Sequence, residues 1–361
     1  MQPRLPEPRG PISEFLCHRL QRRPGRIRGW PCRGGVRSSG EDLQLSLHLL
    51  HGLHYDGFAG VDEAWEWEAT LVQACSDLEA SFLSDLVAAI PPEARPGTGL
   101  GGRSLSDRLG ELISGDGAGP SLSLFMLERG DRDQLREFVI HRSIYQRKEA
   151  DPHTWAIPRL RGRAKDAIVT LQSDEYGNGV RGKSHAELFA ATMTALGLDP
   201  APGAYIDRVP GVTLATDNLV SMFGLHRRWR GALVGHLAAF EMTSVVPMSR
   251  YAAALRRLEV AEEGVEFYDV HVAADVVHAQ IAADDLVGGL TESDPVAAAD
   301  VLFGAAALKE VEAVFTRRLL RAWEAGRSSL RPEGVGHPAS TELVSLVGLD
   351  HLRVGPFSLT G

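Results

Sequence analysis

An all-α helical bundle is predicted by three features of the sequence. Successive stretches repeat their apolar residues at helical spacing, strand signals are almost absent, and prolines, glycines and capping residues punctuate the places where helices should begin and end. The chain has 361 residues, 44% hydrophobic and 24% charged, enough for one large core or two modest domains. Its longest apolar runs fall short of the roughly 18 residues that a membrane span needs, and no charged-then-apolar leader opens it, so a cytoplasmic protein is expected. A net charge of −9 argues against a nucleic-acid partner, because phosphate contacts need a basic face. Cys17, Cys32 and Cys75 are too few and too scattered for a disulfide framework or a thiolate zinc site.

Residues 1–40 stand apart. Pro3, Pro6, Pro8, Pro11, Pro24 and Pro31 interrupt an arginine-rich run, a composition that buries little and predicts a flexible or loosely docked basic arm. A single helical domain is expected over 41–326. Helical periodicity begins near Asp42 and carries His48, His51 and His54; steps of three rotate by about 300°, so the first and last lie roughly 120° apart, and these read as packing histidines. A second helix is expected from about Asp62 through Leu86, with Trp65 and Trp67 in the core. Between Pro91 and Pro120 glycine and proline surround a short helical piece, Leu105 to Ile113, as in a loop or flap.

The next helix should run from about Asp131 to Ala150, stopped by Asp151-Pro152, since a residue before proline avoids the α region. It places Glu149 in its last turn, where the helix dipole disfavours a carboxylate unless a cation faces it. Another is expected from Pro158 to Tyr176; Gly177, Gly179 and Gly182 break it, and Ser184 with Glu187 forms a capping box that restarts it with His185 in the first turn. A carboxylate and an imidazole thus meet across a helix break. One long helix, about Asn218 to Val245, holds His236 and Glu241; Pro247 bends or ends it. Asp294-Pro295 opens the last long helix, which reaches about Ala325. Residues 327–361, including the apolar Leu343 to Val347, read as a tail packed on the domain.

The stretch Tyr268 to His278 carries the strongest chemical signal. At about 100° per residue, positions i, i+4 and i+7 fall within roughly 60°, so His271, Asp275 and His278 share one face. Valines and alanines fill the rest, which predicts a helix apolar nearly all round and buried. Any one of these imidazoles could be satisfied by the backbone; three metal-competent groups at this spacing favour a metal site built between facing helices.

Four motifs together resemble the heme-oxygenase-like diiron oxidases, or iron-containing redox enzymes: K-E-A-D-P-H-T-W (148–155), D-E-Y-G-N-G followed by S-H-A-E-L-F (174–189), F-E-M-T-S (240–244) and H-V-A-A-D-V-V-H (271–278). The resemblance spans about Leu43 to Ala325 and implies a heme-oxygenase-like helical bundle holding two Fe(II) ions. One iron would be held by Glu149, His185 and His278, the other by His271 and Asp275, with Glu175 spanning both. Glu241 corresponds to the family's buried carboxylate near the site; a salt bridge to an arginine is its structural alternative. Imidazole and carboxylate without thiolate suit non-heme iron, and converging carboxylates disfavour heme. The resemblance further implies O2 as co-substrate, oxidation of a small organic molecule by N-oxygenation, desaturation or oxidative C–C cleavage, and Glu175 and Glu241 as catalytic carboxylates. An external electron donor is expected, because the chain shows no flavin or nicotinamide fingerprint, and a homodimer is compatible with it. A non-catalytic iron-binding protein and a mononuclear zinc hydrolase are the competing classes.

Overall fold

A computed structural model describes residues 2–30, 40–114 and 119–332, which contain helices and no strand. Among them no single helix is long and apolar enough to cross a membrane. The N-terminal arm is the first departure from expectation. Helix α1 (Pro11–Leu20) places Ile12, Leu16 and Leu20 on one face, all fully buried, and that apolar stripe holds the arm to the domain despite its prolines. Asp42, near the start of α2 (Gly40–Gly52), accepts the backbone N–H groups of Ile12 and Ser13 at 3.0 and 2.8 Å, capping α1 from another helix. Arg9 is also buried, donating to Glu41 and to the Ile206 carbonyl. The basic composition therefore masks a docked segment; residues 31–39, with Cys32, lie outside the described residues.

Helix α3 (Ala69–Ala89) starts later than its periodicity suggests, because the Glu68 carboxylate caps it by accepting from the N–H groups of Thr70 and Leu71. Trp65 precedes it, fully buried and donating to the Arg22 carbonyl. Trp67, expected in the core, is 71% exposed and lies against the His54 ring. Helices α4 (Leu105–Ser114) and α5 (Leu122–Glu128) follow in the glycine-rich region. An Asp131–Gln134 capping box starts α6 (Arg132–Gln146). It ends before Glu149, and Pro152 falls in the first turn of the short α7 (Ala150–Thr154), where a missing N–H costs no intrahelical bond.

Helices α8 (Gly162–Glu175) and α9 (His185–Ala195) flank the expected break. The single helix expected over Asn218 to Val245 is instead α10 (Gly211–Leu225) and α11 (Arg230–Thr243), separated by extended His226 and a 3-10 turn at Arg227–Trp229. Trp229 anchors that turn between Phe223 and Phe303. A bend of 53° then leads into α12 (Val245–Arg257), so Pro247 opens a helix and does not stop one. Helix α13 (Glu266–Gln280) passes into a π-helical segment, Ile281–Val287, followed by α14 (Gly288–Ser293) and α15 (Ala297–Glu324).

The core forms where α11 lies along α15. Their backbones touch through glycines: a Cβ at Gly235 would sit 1.9 Å from the Val301 carbonyl oxygen, and one at Gly304 would sit 1.9 Å from that of Ala232. The opening of the C-terminal tail is packed, since Ser329 is buried and donates to Glu137 from both its backbone N–H and its hydroxyl. Leu343 to Val347 lie outside the described residues.

His141 joins this tail to the bundle, with Thr213 Oγ1 at 2.7 Å and Ser329 Oγ at 3.0 Å. Burial, with Arg142 and Arg318 nearby, drives its pKa down to about 3. Above pH 6.5 the ring is neutral folded or unfolded, so it has no effect on stability. Below that, only the unfolded chain takes up the proton, and stability falls by roughly 1.4 kcal/mol per pH unit until the folded ring titrates. The urea midpoint of the wild type should therefore drop between pH 6.5 and pH 5, with a shallower drop in His141→Gln; parallel pH profiles would remove His141 as a cause.

Candidate metal centre

Each ionisable side chain at the centre is delivered by a helix end or by one helix face. Glu149 sits in the turn between α6 and α7, and Glu175 is the last residue of α8. The chain reverses at once through Gly177, whose φ of +73° is left-handed and whose Cβ, if present, would meet the Lys183 carbonyl carbon at 2.5 Å. Ser184 then caps α9 by accepting from the Glu187 N–H, which sets His185 in its first turn. Glu241 comes from the last turns of α11, and His271, Asp275 and His278 from α13.

Helix α13 is not apolar and buried all round, as its composition suggests. His271, Asp275 and His278 point inward at 6%, 2% and 2% exposure, whereas Val276 and Val277 face outward at 64% and 58%. Burying ionisable groups while exposing valines reverses the hydrophobic order, so something other than apolar packing must stabilise the inner face. The π-helical segment begins three residues after His278 and packs against α8, the helix that ends in Glu175; such segments often mark functional sites.

Two overlapping clusters result. Donor atoms of Glu149, Glu175, His185 and His271 all lie within 4.8 Å of one another, and so do those of Glu175, Glu241 and His278. Glu175 belongs to both, the position expected of a spanning carboxylate. The two α13 histidines are exchanged relative to the expected grouping: His271 Nε2 lies 3.8 Å from Glu149, while His278 Nδ1 faces Glu241 at 3.4 Å and Asp275 at 3.6 Å. Asp275 therefore pairs directly with His278 and reaches His271 and Glu149 through its charge alone. Glu241 turns to His278, leaving its arginine alternative without support.

Hydrogen bonds outside the clusters fix which nitrogen each imidazole offers. His271 Nδ1 donates to the Phe267 carbonyl at 2.8 Å, which leaves Nε2 turned to the cluster. His278 Nε2 donates to the Asp174 carboxylate at 2.8 Å, which leaves Nδ1 turned inward. Metal-ligating histidines are commonly held in this way. The Ser244 hydroxyl similarly donates to Asp275. Asp174 and Ser244 lie within the recognised motifs, yet their roles depend on packing that no spacing encodes.

Electrostatics favour cations in this space. Four carboxylates, Glu149, Glu175, Glu241 and Asp275, converge with three imidazoles, every one at 9% exposure or less. Burial raises the Glu149 pKa and pushes Glu241 up to about 7. Burial opposes a charge on His185, but Glu175 and Glu149 outweigh it and push the ring up to about 11; Asp275, Glu241 and Asp174 do the same for His278. Desolvation, with His185 nearby, lowers His271. Glu149 Oε1, His185 Nδ1 and His278 Nδ1 nonetheless lack hydrogen-bond partners; His185 Nδ1 lies 2.7 Å from Glu175 outside bonding geometry. Buried unpaired donors and acceptors around a shared space, all nitrogen and oxygen, fit bound iron.

A cavity of about 950 Å³ reaches this centre, with Glu149, Glu175, Glu241, His271 and Asp275 in its wall. Its sides include Tyr145, Leu237, Phe240, Met248 and Tyr251, and its outer part includes exposed Glu93 and Glu111.

His48, His51 and His54 stay apart from these clusters, each facing a carboxylate from elsewhere: Asp217, Glu79 and Glu66. His153 and His236 form a separate buried pair at 3.2 Å.

No curated protein matches the chain. The family model described as iron-containing redox enzyme matches residues 136–313, the segment that supplies every side chain of both clusters. Over that segment the chain is similar to the iron-containing redox enzymes, and the helical, strand-free fold of the described residues is of the heme-oxygenase-like kind.

Proposed function

We propose that this protein is a non-heme diiron oxidase or oxygenase that uses O2 to oxidise a small organic substrate. The observation that carries the proposal is Glu175, one carboxylate shared by two buried histidine-containing clusters. Glu149, His185 and His271 would hold one ion, and His278, Glu241 and Asp275 the other. A pair of ferrous ions, when bound, supplies the two-electron reduction of O2 on which oxidation of an organic molecule depends. The chain's own groups do the rest.

Phe267 and Asp174 orient His271 and His278 through the ring nitrogens that face away from the centre. Burial among other carboxylates raises the Glu241 pKa, a cost that a cation held by His278, Glu241 and Asp275 would offset. Phe240 stacks on Tyr145, and these rings with Leu237 keep bulk water from the inner cavity wall. A substrate enters through the same cavity, and its apolar sides with a polar outer end suit a small amphiphilic molecule. Repeated turnover draws electrons from an external donor.

Anaerobic ferrous loading followed by metal analysis and mixing with O2 tests the proposal. A pair of irons per chain with oxygen uptake and an absorption transient is the expected result. Zinc alone, no metal, or iron that consumes no oxygen overturns it. Asp174→Ala should weaken ferrous binding about 10–100-fold without moving the urea midpoint appreciably, because it removes the partner that orients His278; unchanged affinity would exclude that role.

A further inference from the structure

A second set of metal-ligating side chains converges where α2, α3 and the turn after α10 meet. Glu79 of α3 is buried at 1% exposure, and His51 of α2, also at 1%, brings Nε2 to 3.0 Å from its Oε1. Cys75 lies one turn before Glu79 on the same helix face, and donor atoms of His51, Cys75 and Glu79 all fall within 4.8 Å of one another. His226, in the extended residue between α10 and α11, places Nε2 2.7 Å from Glu79 Oε2. None of these residues belongs to the iron clusters.

We propose that His51, Cys75 and Glu79 form a second metal site that takes a zinc-like divalent cation, with His226 at its outer edge. Two observations point to a ligand beyond a buried ion pair. Glu79 Oε2 and His51 Nδ1 are buried without hydrogen-bond partners, the former despite its close approach to His226. The Cys75 thiol, held protonated by burial and by the charge and hydrogen bond of Glu79, brings a soft sulfur donor to the carboxylate that His51 already faces. A cation would take the thiolate, the imidazole and the carboxylate together and release the thiol proton to water. A mixed sulfur, nitrogen and oxygen set favours zinc over the cations of an all-oxygen site. The partly exposed His226 leaves a way in from solvent.

Cobalt(II) serves as the spectroscopic probe. The full chain, first loaded with iron under anaerobic conditions, is titrated with cobalt, and the near-ultraviolet sulfur-to-cobalt charge-transfer band is recorded. The band should saturate at one equivalent, persist in Cys17→Ser and Cys32→Ser, and vanish in Cys75→Ser. No band in the wild type, or a band that survives Cys75→Ser, overturns the site. Should Cys75→Ser fail to fold, iodoacetamide labelling of the wild type decides: zinc should protect the peptide containing Cys75, and equal labelling with and without zinc refutes the proposal. Because the readouts are a thiolate band and thiol protection, failure here leaves the diiron reading untouched.

Discussion

On the proposed diiron reading, Glu175→Ala is expected to empty both halves of the centre at once. Each other donor belongs to one cluster, so Glu149→Ala should release the ion beside His271, and Glu241→Ala should loosen only the one beside His278. Removing the shared carboxylate takes a donor from both ions and exposes them to each other's charge without an anion between them. Iron per chain after anaerobic loading and desalting should then fall close to zero in Glu175→Ala. Glu149→Ala and Glu241→Ala should each keep one ion. The fold should survive, because Glu175 closes a helix end beside a loop and fills no part of the apolar core. A Glu175→Ala protein that keeps a full iron complement would show that the two clusters do not share a bridge.

Gly235→Ala and Gly304→Ala should be the most destabilising glycine-to-alanine changes among the described residues. Overpacking a core by a methyl group usually costs about 1–3 kcal/mol because neighbouring side chains can turn aside. Here each new Cβ would overlap a backbone carbonyl at 1.9 Å, and a backbone within a helix cannot turn aside. Helices α11 and α15 must separate, so the loss should reach about 3 kcal/mol or more by urea unfolding. Because α11 carries Glu241 six residues after Gly235, any variant that still folds should also bind iron less well. Gly110, exposed on α4 with nothing within 4 Å of its would-be Cβ, is the control; Gly110→Ala should stabilise by about 0.5–1 kcal/mol. If Gly235→Ala unfolds at the wild-type urea concentration, the close approach of the two helices is wrong.

Much of the architecture was legible because helix ends are written locally. Ser184, the glycines after Glu175 and Asp131 act on neighbours a few residues away. What distance along the chain conceals was not legible. The packing of α1 depends on Asp42 and on a core formed by later helices, and the break at His226 depends on Trp229 reaching Phe303. At the centre, the residue types were readable from the motifs, but their grouping was not. His271 and His278 stand seven residues apart, a rise of about 10.5 Å, which argues that they serve different clusters. Which of them faces Glu149 depends on the direction in which α9 delivers His185, and that is a property of the assembled bundle.

The inside-out arrangement of α13 has a consequence for engineering. Any procedure that optimises folding free energy would begin with its inner face, exchanging His271, Asp275 and His278 for leucine-like side chains, and would then make Val276 and Val277 polar. The product would melt higher and hold no iron. Thermostabilising this protein without losing its chemistry therefore means leaving one helix in its least comfortable state and seeking the gain elsewhere, at sites such as Gly110.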